Sequence, residues 1–148
     1  MADVLDLKHL KKHSISSTLR GKSVLVAGVP KIGKSTFASK ADHVLFFNFE
    51  NGTEFLPLEV EPIPIQKWSQ FKGYLKQLRD PDVKEMYHCI VIDTVSICSQ
   101  LVERYICMQN GVENIKDIPY GQGYGMPATE FFNVFHEISM LGYAIIFL

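Results

Sequence analysis

Apolar residues in this chain fall into two kinds of run that alternate along it. Short, nearly unbroken runs at 23–27, 44–49, 89–92 and 143–148 read as strands buried on both faces, because a strand with one wet face would alternate polar and apolar positions. Between them the spacing turns helical. Trp68, Phe71, Tyr74, Leu75 and Leu78 form one stripe, Ile97, Leu101, Tyr105 and Ile106 a second, and Phe131, Val134, Phe135, Ile138 and Leu141 a third, each predicting an amphipathic helix packed on the sheet. A short helix from Ser35 to about Lys40 is also expected. Asn110-Gly111 would end the second long helix, Pro127 suits the first turn of the third, and Gly142 closes it. Prolines at 57, 62 and 64 exclude a helix there and leave a connection ending in a short strand at 63–65. Residues 117–126, polar and rich in glycine and tyrosine, read as a loop. Strands alternating with helices predict an α/β fold of three layers, a mostly parallel sheet with helices on both faces.

The junction between the first strand and first helix carries the chemistry. Gly28-Val29-Pro30-Lys31-Ile32-Gly33-Lys34-Ser35 fits the Walker A pattern of a P-loop, and Thr36 follows it into the helix. The pattern needs glycine where backbone must approach phosphate oxygens or take positive φ, which places Gly28 and Gly33. Lys34 would reach the β and γ phosphates, Ser35 would offer a hydroxyl to magnesium, and N–H groups opening the helix would point at the anion. The set Gly28 to Thr36 therefore predicts binding of a nucleoside triphosphate with Mg2+. Lys31 stands where many P-loops have another glycine, which leaves its backbone conformation open.

Two carboxylates belong to the same expectation. Cys89-Ile90-Val91-Ile92-Asp93 has the form of a Walker B strand, whose terminal Asp93 would hold magnesium through water. The next residue is Thr94 rather than a second acid, so a water-activating carboxylate must come from elsewhere. Glu50 ends the second apolar run, and parallel strands gather their carboxyl ends along one edge. It is the candidate general base; the competing reading is a solvated carboxylate in a turn.

Composition narrows the class. With 148 residues, 47% of them hydrophobic, and a net charge of −1, the chain suits one compact domain, and its charge balance demands neither nucleic acid nor an anionic membrane. No stretch approaches the roughly 20 apolar residues that span a bilayer. Cys89, Cys98 and Cys107 lack metal-ligand spacing and leave one thiol unpaired in any disulfide scheme, which favours reduced, packed cysteines and a cytoplasmic setting. His9, His13, His43, His88 and His136 show no paired metal spacing either. Residues 1–20, with Lys8, Lys11, Lys12 and His13, read as a solvated leader, and 21–148 as the nucleotide-binding domain.

Taken in order, Gly28 to Thr36, the Phe46-Phe47-Asn48-Phe49-Glu50 strand end, Ile90-Val91-Ile92-Asp93-Thr94, the Asp117 to Tyr124 loop and Ala144-Ile145-Ile146-Phe147-Leu148 resemble the RecA-like P-loop ATPases of bacteriophages, often encoded beside single-strand annealing and recombination proteins. The resemblance covers residues 20–148. It implies ATP as the nucleotide, hydrolysis with catalytic roles for Glu50 and Lys34, and a role in phage DNA recombination or replication. It also implies a homo-oligomer whose neighbouring subunit supplies a basic residue, with single-stranded DNA or a DNA-annealing protein as partner. Loop residues Tyr120, Gln122 and Tyr124 would then stack on DNA, although a structural glycine-rich turn explains them equally well. In such cores the last strand here lies between the P-loop and Walker B strands and is followed by a polar sensor residue, so the expected domain is cut short after Leu148. Two alternatives stay open. One is a nucleotide-dependent binding module with little hydrolysis; the other is a small nucleotide kinase, which Arg20, Arg79 and Arg104, the only arginines, equip poorly.

Overall fold

The computed structural model describes residues 18–50 and 55–148; the leader expected at 1–20 therefore lies largely outside the described residues. Its elements are β1 (Ser23–Leu25), α1 (Lys34–Ala38), β2 (Val44–Asn48), β3 (Ile63–Pro64), α2 (Trp68–Leu78), α3 (Pro81–Met86), β4 (Cys89–Asp93), α4 (Val95–Gln109), α5 (Met126–Met140) and β5 (Ala144–Phe147). Five strands form one sheet in the order β1-β5-β4-β2-β3, and every pair is parallel. The last strand thus sits between the P-loop strand and the Walker B strand.

Period-two alternation divides the sheet residues between two cores. Leu45, Phe47, Ile90, Ile92 and Ile145 face α2, α4 and α5, while Phe46, Val91 and Ile146 face the other side with Ala38 of α1. Both faces are covered, which is why β2, β4 and β5 read as continuous apolar runs. The layers are unequal: three long helices on one face and the five-residue α1 on the other. All three cysteines are free and buried. Burial pushes the Cys89 thiol up to about 11 and the Cys98 thiol higher still, so they pack as small apolar groups.

Three features depart from the sequence expectations. β1, β2, β3 and β5 are shorter than the expected strands by one or two residues, since ladder pairing stops before apolar character does, while β4 extends one residue past its apolar run to Asp93 and α1 begins one residue early and ends about two early. Helix α3 was not anticipated, although Asp80 caps it, its Oδ1 accepting the Asp82 N–H at 2.9 Å, with Pro81 in the first turn. The 117–126 segment is not open loop. Tight turns at Ile115–Asp117 and Pro119–Tyr124 fold it on itself, and a Cβ on buried Gly123 would collide with the Ile115 carbonyl.

One polar contact ties α2 to α5. The Trp68 indole donates to Glu130 Oε1 at 2.8 Å and Lys72 Nζ donates to the same oxygen at 2.7 Å. Burial alone would raise the Glu130 carboxyl, but the Lys72 and Trp68 hydrogen bonds outweigh it and hold the group below its ordinary value; the bond to Glu130 raises Lys72. Glu130→Ala leaves an indole N–H without its acceptor, at an expected cost of about 1–3 kcal/mol. A depressed carboxyl contributes stability present above its unfolded value and lost as pH falls through the folded one. A raised ammonium contributes below its unfolded value and loses it as pH rises through the folded one. Urea unfolding should therefore show the wild-type advantage over Glu130→Ala at neutral pH, fading in acid below the ordinary glutamate range and in strong alkali.

Candidate nucleotide-binding site

Parallel strands deliver their carboxyl ends to one edge of the sheet, and the ladder sets which ends meet. Asn48 of β2 is in register with Asp93 of β4, so Glu50, two residues past Asn48, emerges beside the end of the Walker B strand. β1 leads into the loop that ends at α1. Between them lies a cleft of about 610 Å³ lined by Lys31, Gly33, Lys34, Ser35, Thr36, Asn48, Glu50, Asp93, Thr94 and Ser96, among others.

Two backbone choices shape the loop. Gly33 takes φ 100°, which no L side chain adopts easily, and hands its carbonyl to the Phe37 N–H at 2.8 Å. Lys31 takes φ 64°, the left-handed conformation that glycine adopts freely and that costs a lysine on the order of 1 kcal/mol. The position where many P-loops have glycine thus keeps a glycine-like backbone with a cationic side chain in the cleft.

The polar groups within the cleft are organised in two pairs. Ser35 Oγ donates to Asp93 Oδ2 at 2.7 Å, and Asp93, at 8% exposure, is the one buried charged residue among those described. Thr94 Oγ1 donates to Glu50 Oε2 at 3.1 Å, while the Glu50 N–H donates to Asn48 Oδ1 at 3.0 Å. Lys34 Nζ bends over the loop and donates to the Gly28 and Val29 carbonyls at 2.9 and 3.2 Å. A hydroxyl and a carboxylate in contact form a hard oxygen donor set that fits magnesium, and the lysine beside them fits a polyphosphate.

Of the residues singled out from the sequence, Lys34, Ser35, Asp93 and Glu50 come together in this cleft. Pro30, Lys31, Gly33 and Thr36 line it too. Gly28 and Val29 contribute carbonyls to Lys34, and the Val29 and Ile32 side chains are exposed. Sequence reasoning missed Asn48 and Thr94, which fix Glu50 from below; the strand register that aligns them is not written in spacing. Tyr120, Gln122 and Tyr124 are exposed, Tyr120 almost fully. Tyr124 lines a second groove with Glu103, Phe131 and Ser96, and Ser96 also lines the first, so the two hollows adjoin at the start of α4. None of the three arginines lines the cleft; Arg79 is held on α5 by Glu137 at 2.6 Å.

Comparison with known proteins agrees with this geometry, since residues 20–148 match the AAA domain family. The chain belongs to that family. AAA domains are P-loop ATPases as a class. The chain is also 30% identical, over 97% of its length, to the SPbeta prophage-derived uncharacterized protein YorG of Bacillus subtilis (strain 168). It spans about half the length of that relative, 45%. No solved structure matches it. Among the described residues of the AAA domain no helix is long and apolar enough to cross a membrane.

Proposed function

We propose that this AAA domain is a Mg2+-dependent ATPase that works on DNA in phage recombination or replication, in the host cytoplasm. The observation that carries the reading is the convergence of Lys34, Ser35, Asp93 and Glu50, from three separate strand ends, in one cleft. Ser35 and Asp93 would hold magnesium, which when bound neutralises charge on the triphosphate. Lys34, released from its loop carbonyls, pairs with the β and γ phosphates. Glu50, aimed by Thr94 and Asn48, orients a water and takes its proton as the oxygen attacks phosphorus and the bond to ADP breaks. Lys31 and Lys34 are the basic residues that line the cleft, with no arginine among its lining residues; a further basic residue that stabilises leaving charge would come from a second subunit, and turnover by a monomer would then be slow.

DNA is assigned to the turn beside the cleft, where Tyr120 and Tyr124 offer exposed rings. Each stacked base is worth roughly 1–3 kcal/mol. The test is phosphate release with and without single-stranded DNA, together with DNA affinity. Tyr120→Ala/Tyr124→Ala should weaken DNA binding about tenfold or more and remove stimulation by DNA, with ATP affinity unchanged. Unchanged DNA affinity in that variant would remove the turn from the proposal. A wild-type protein that binds ATP and releases no phosphate under any condition is a binding module instead.

A further inference from the structure

The residue immediately before β2 and the residue immediately before β4 are both histidines. Because Val44 pairs with Cys89, His43 and His88 stand side by side at the amino ends of the two central strands. Their positions are fixed by backbone: the His88 N–H donates to the His43 carbonyl at 2.9 Å, and the Cys89 N–H approaches the same oxygen at 3.4 Å. The imidazole centroids are 4.6 Å apart. Asp42 completes the group, with Oδ2 3.0 Å from His88 Nδ1 and Oδ1 3.6 Å from His43 Nε2. One donor atom from each residue lies within 4.8 Å of the others.

We propose that Asp42, His43 and His88 form a binding site for a late first-row divalent cation, zinc foremost, at the sheet edge opposite the nucleotide cleft. Two imidazoles with one carboxylate are the donor set that zinc takes and magnesium does not, since magnesium prefers oxygen alone. Metal–ligand bonds of about 2.0–2.2 Å in a tetrahedron separate neighbouring donors by roughly 3.3–3.5 Å, so modest side-chain rotation closes the triangle. The fourth position faces solvent and takes water. Each imidazole would bind in its neutral form, with one ring nitrogen's lone pair turned to the metal and the proton on the other nitrogen. Asp42 is exposed, so its carboxylate can swing toward the two rings as the third ligand. Arg20 is the nearby charge that opposes a cation.

The site is separate from the triphosphate. Five-residue strands at about 3.3 Å per residue put it roughly 16 Å from Asn48 and Asp93. A bound cation would clip the entries of β2 and β4 together, at the end of the sheet where no nucleotide holds them.

Equilibrium dialysis of the untagged, chelator-treated chain against zinc chloride tests this. One zinc per chain is expected, retained in excess magnesium, with a rise in melting temperature. His43→Ala, His88→Ala and Asp42→Asn should each weaken binding by at least about tenfold, and Lys34→Ala should bind zinc as wild type does. His9→Ala/His13→Ala should also bind normally, which separates this site from the amino-terminal histidines. Circular dichroism of each variant without metal checks folding, and the exposed Asp42→Asn reports should a histidine variant misfold. Cobalt chloride gives a second readout, a visible absorption band that disappears in His88→Ala. No zinc retained by the wild type, or equal retention by His43→Ala/His88→Ala, overturns the proposal and leaves the three residues as a hydrogen-bonded clasp.

Discussion

Lys34→Ala should lower affinity for ATP by at least about a hundredfold while leaving the melting temperature of the nucleotide-free protein almost unchanged. The size follows from what the ammonium does. Hydrogen bonds to a charged partner contribute about 1.5–3 kcal/mol each, and losing two of them at a polyphosphate amounts to about 3–6 kcal/mol, a factor of roughly 10² to 10⁴. The small effect on stability follows from where the side chain lies without ligand. Among the described residues its Nζ donates to the Gly28 and Val29 carbonyls alone, which are exposed and can turn to water. Calorimetric titration with ATP and magnesium, beside a thermal melt, reads both quantities. Affinity within a few-fold of wild type would mean that the loop does not bind phosphate. A large drop in melting temperature would mean that Lys34 is a structural residue.

The parts of this protein legible in its sequence are those governed by local pattern. Buried parallel strands reveal themselves as apolar runs, and Phe46-Phe47 and Ile90-Val91-Ile92 are unbroken because their alternate side chains enter the cores on the two faces of the sheet. Helices α2, α4 and α5 show through their stripes, and the P-loop through glycine, lysine and serine at fixed offsets. What stayed hidden depends on pairing or on packing at a distance. Thr94 and Asn48 become partners of Glu50 only because β2 and β4 are neighbours in a given register. The same register brings His43 to His88 across 45 positions of sequence, so histidines without metal spacing along the chain acquire it in space. Residues 115–124 contain no hydrophobic period, and their tight turns follow from the close approach of Gly123 to the Ile115 carbonyl. Tyr120 and Gly121 both take left-handed backbone there, and glycine content alone signals freedom to do so, not where the chain will turn.

Glu50→Gln should leave ATP affinity within a few-fold of wild type and reduce phosphate release about 10² to 10⁴-fold, the usual contribution of a positioned general base. The geometry separates the two carboxylates of the cleft by role. Asp93 is buried and its Oδ2 already accepts from the Ser35 hydroxyl, which ties the carboxylate to the group that would carry the metal. Glu50 is exposed to the cleft, and its side chain is steadied by one 3.1 Å bond from Thr94, which leaves carboxylate lone pairs for water. Glutamine preserves the shape and the acceptor for Thr94 but cannot take a proton. The two titrations together therefore discriminate: lost release with retained binding assigns the base to Glu50, whereas release at the wild-type rate moves that role to another group. Because a basic residue from a neighbouring subunit can supply about 10³ to 10⁵ in rate, the comparison must be made across a range of protein concentrations with single-stranded DNA present. If turnover rises with concentration in the wild type and stays flat in Glu50→Gln, the cleft is completed by a second copy of the chain and Glu50 acts within that assembled site.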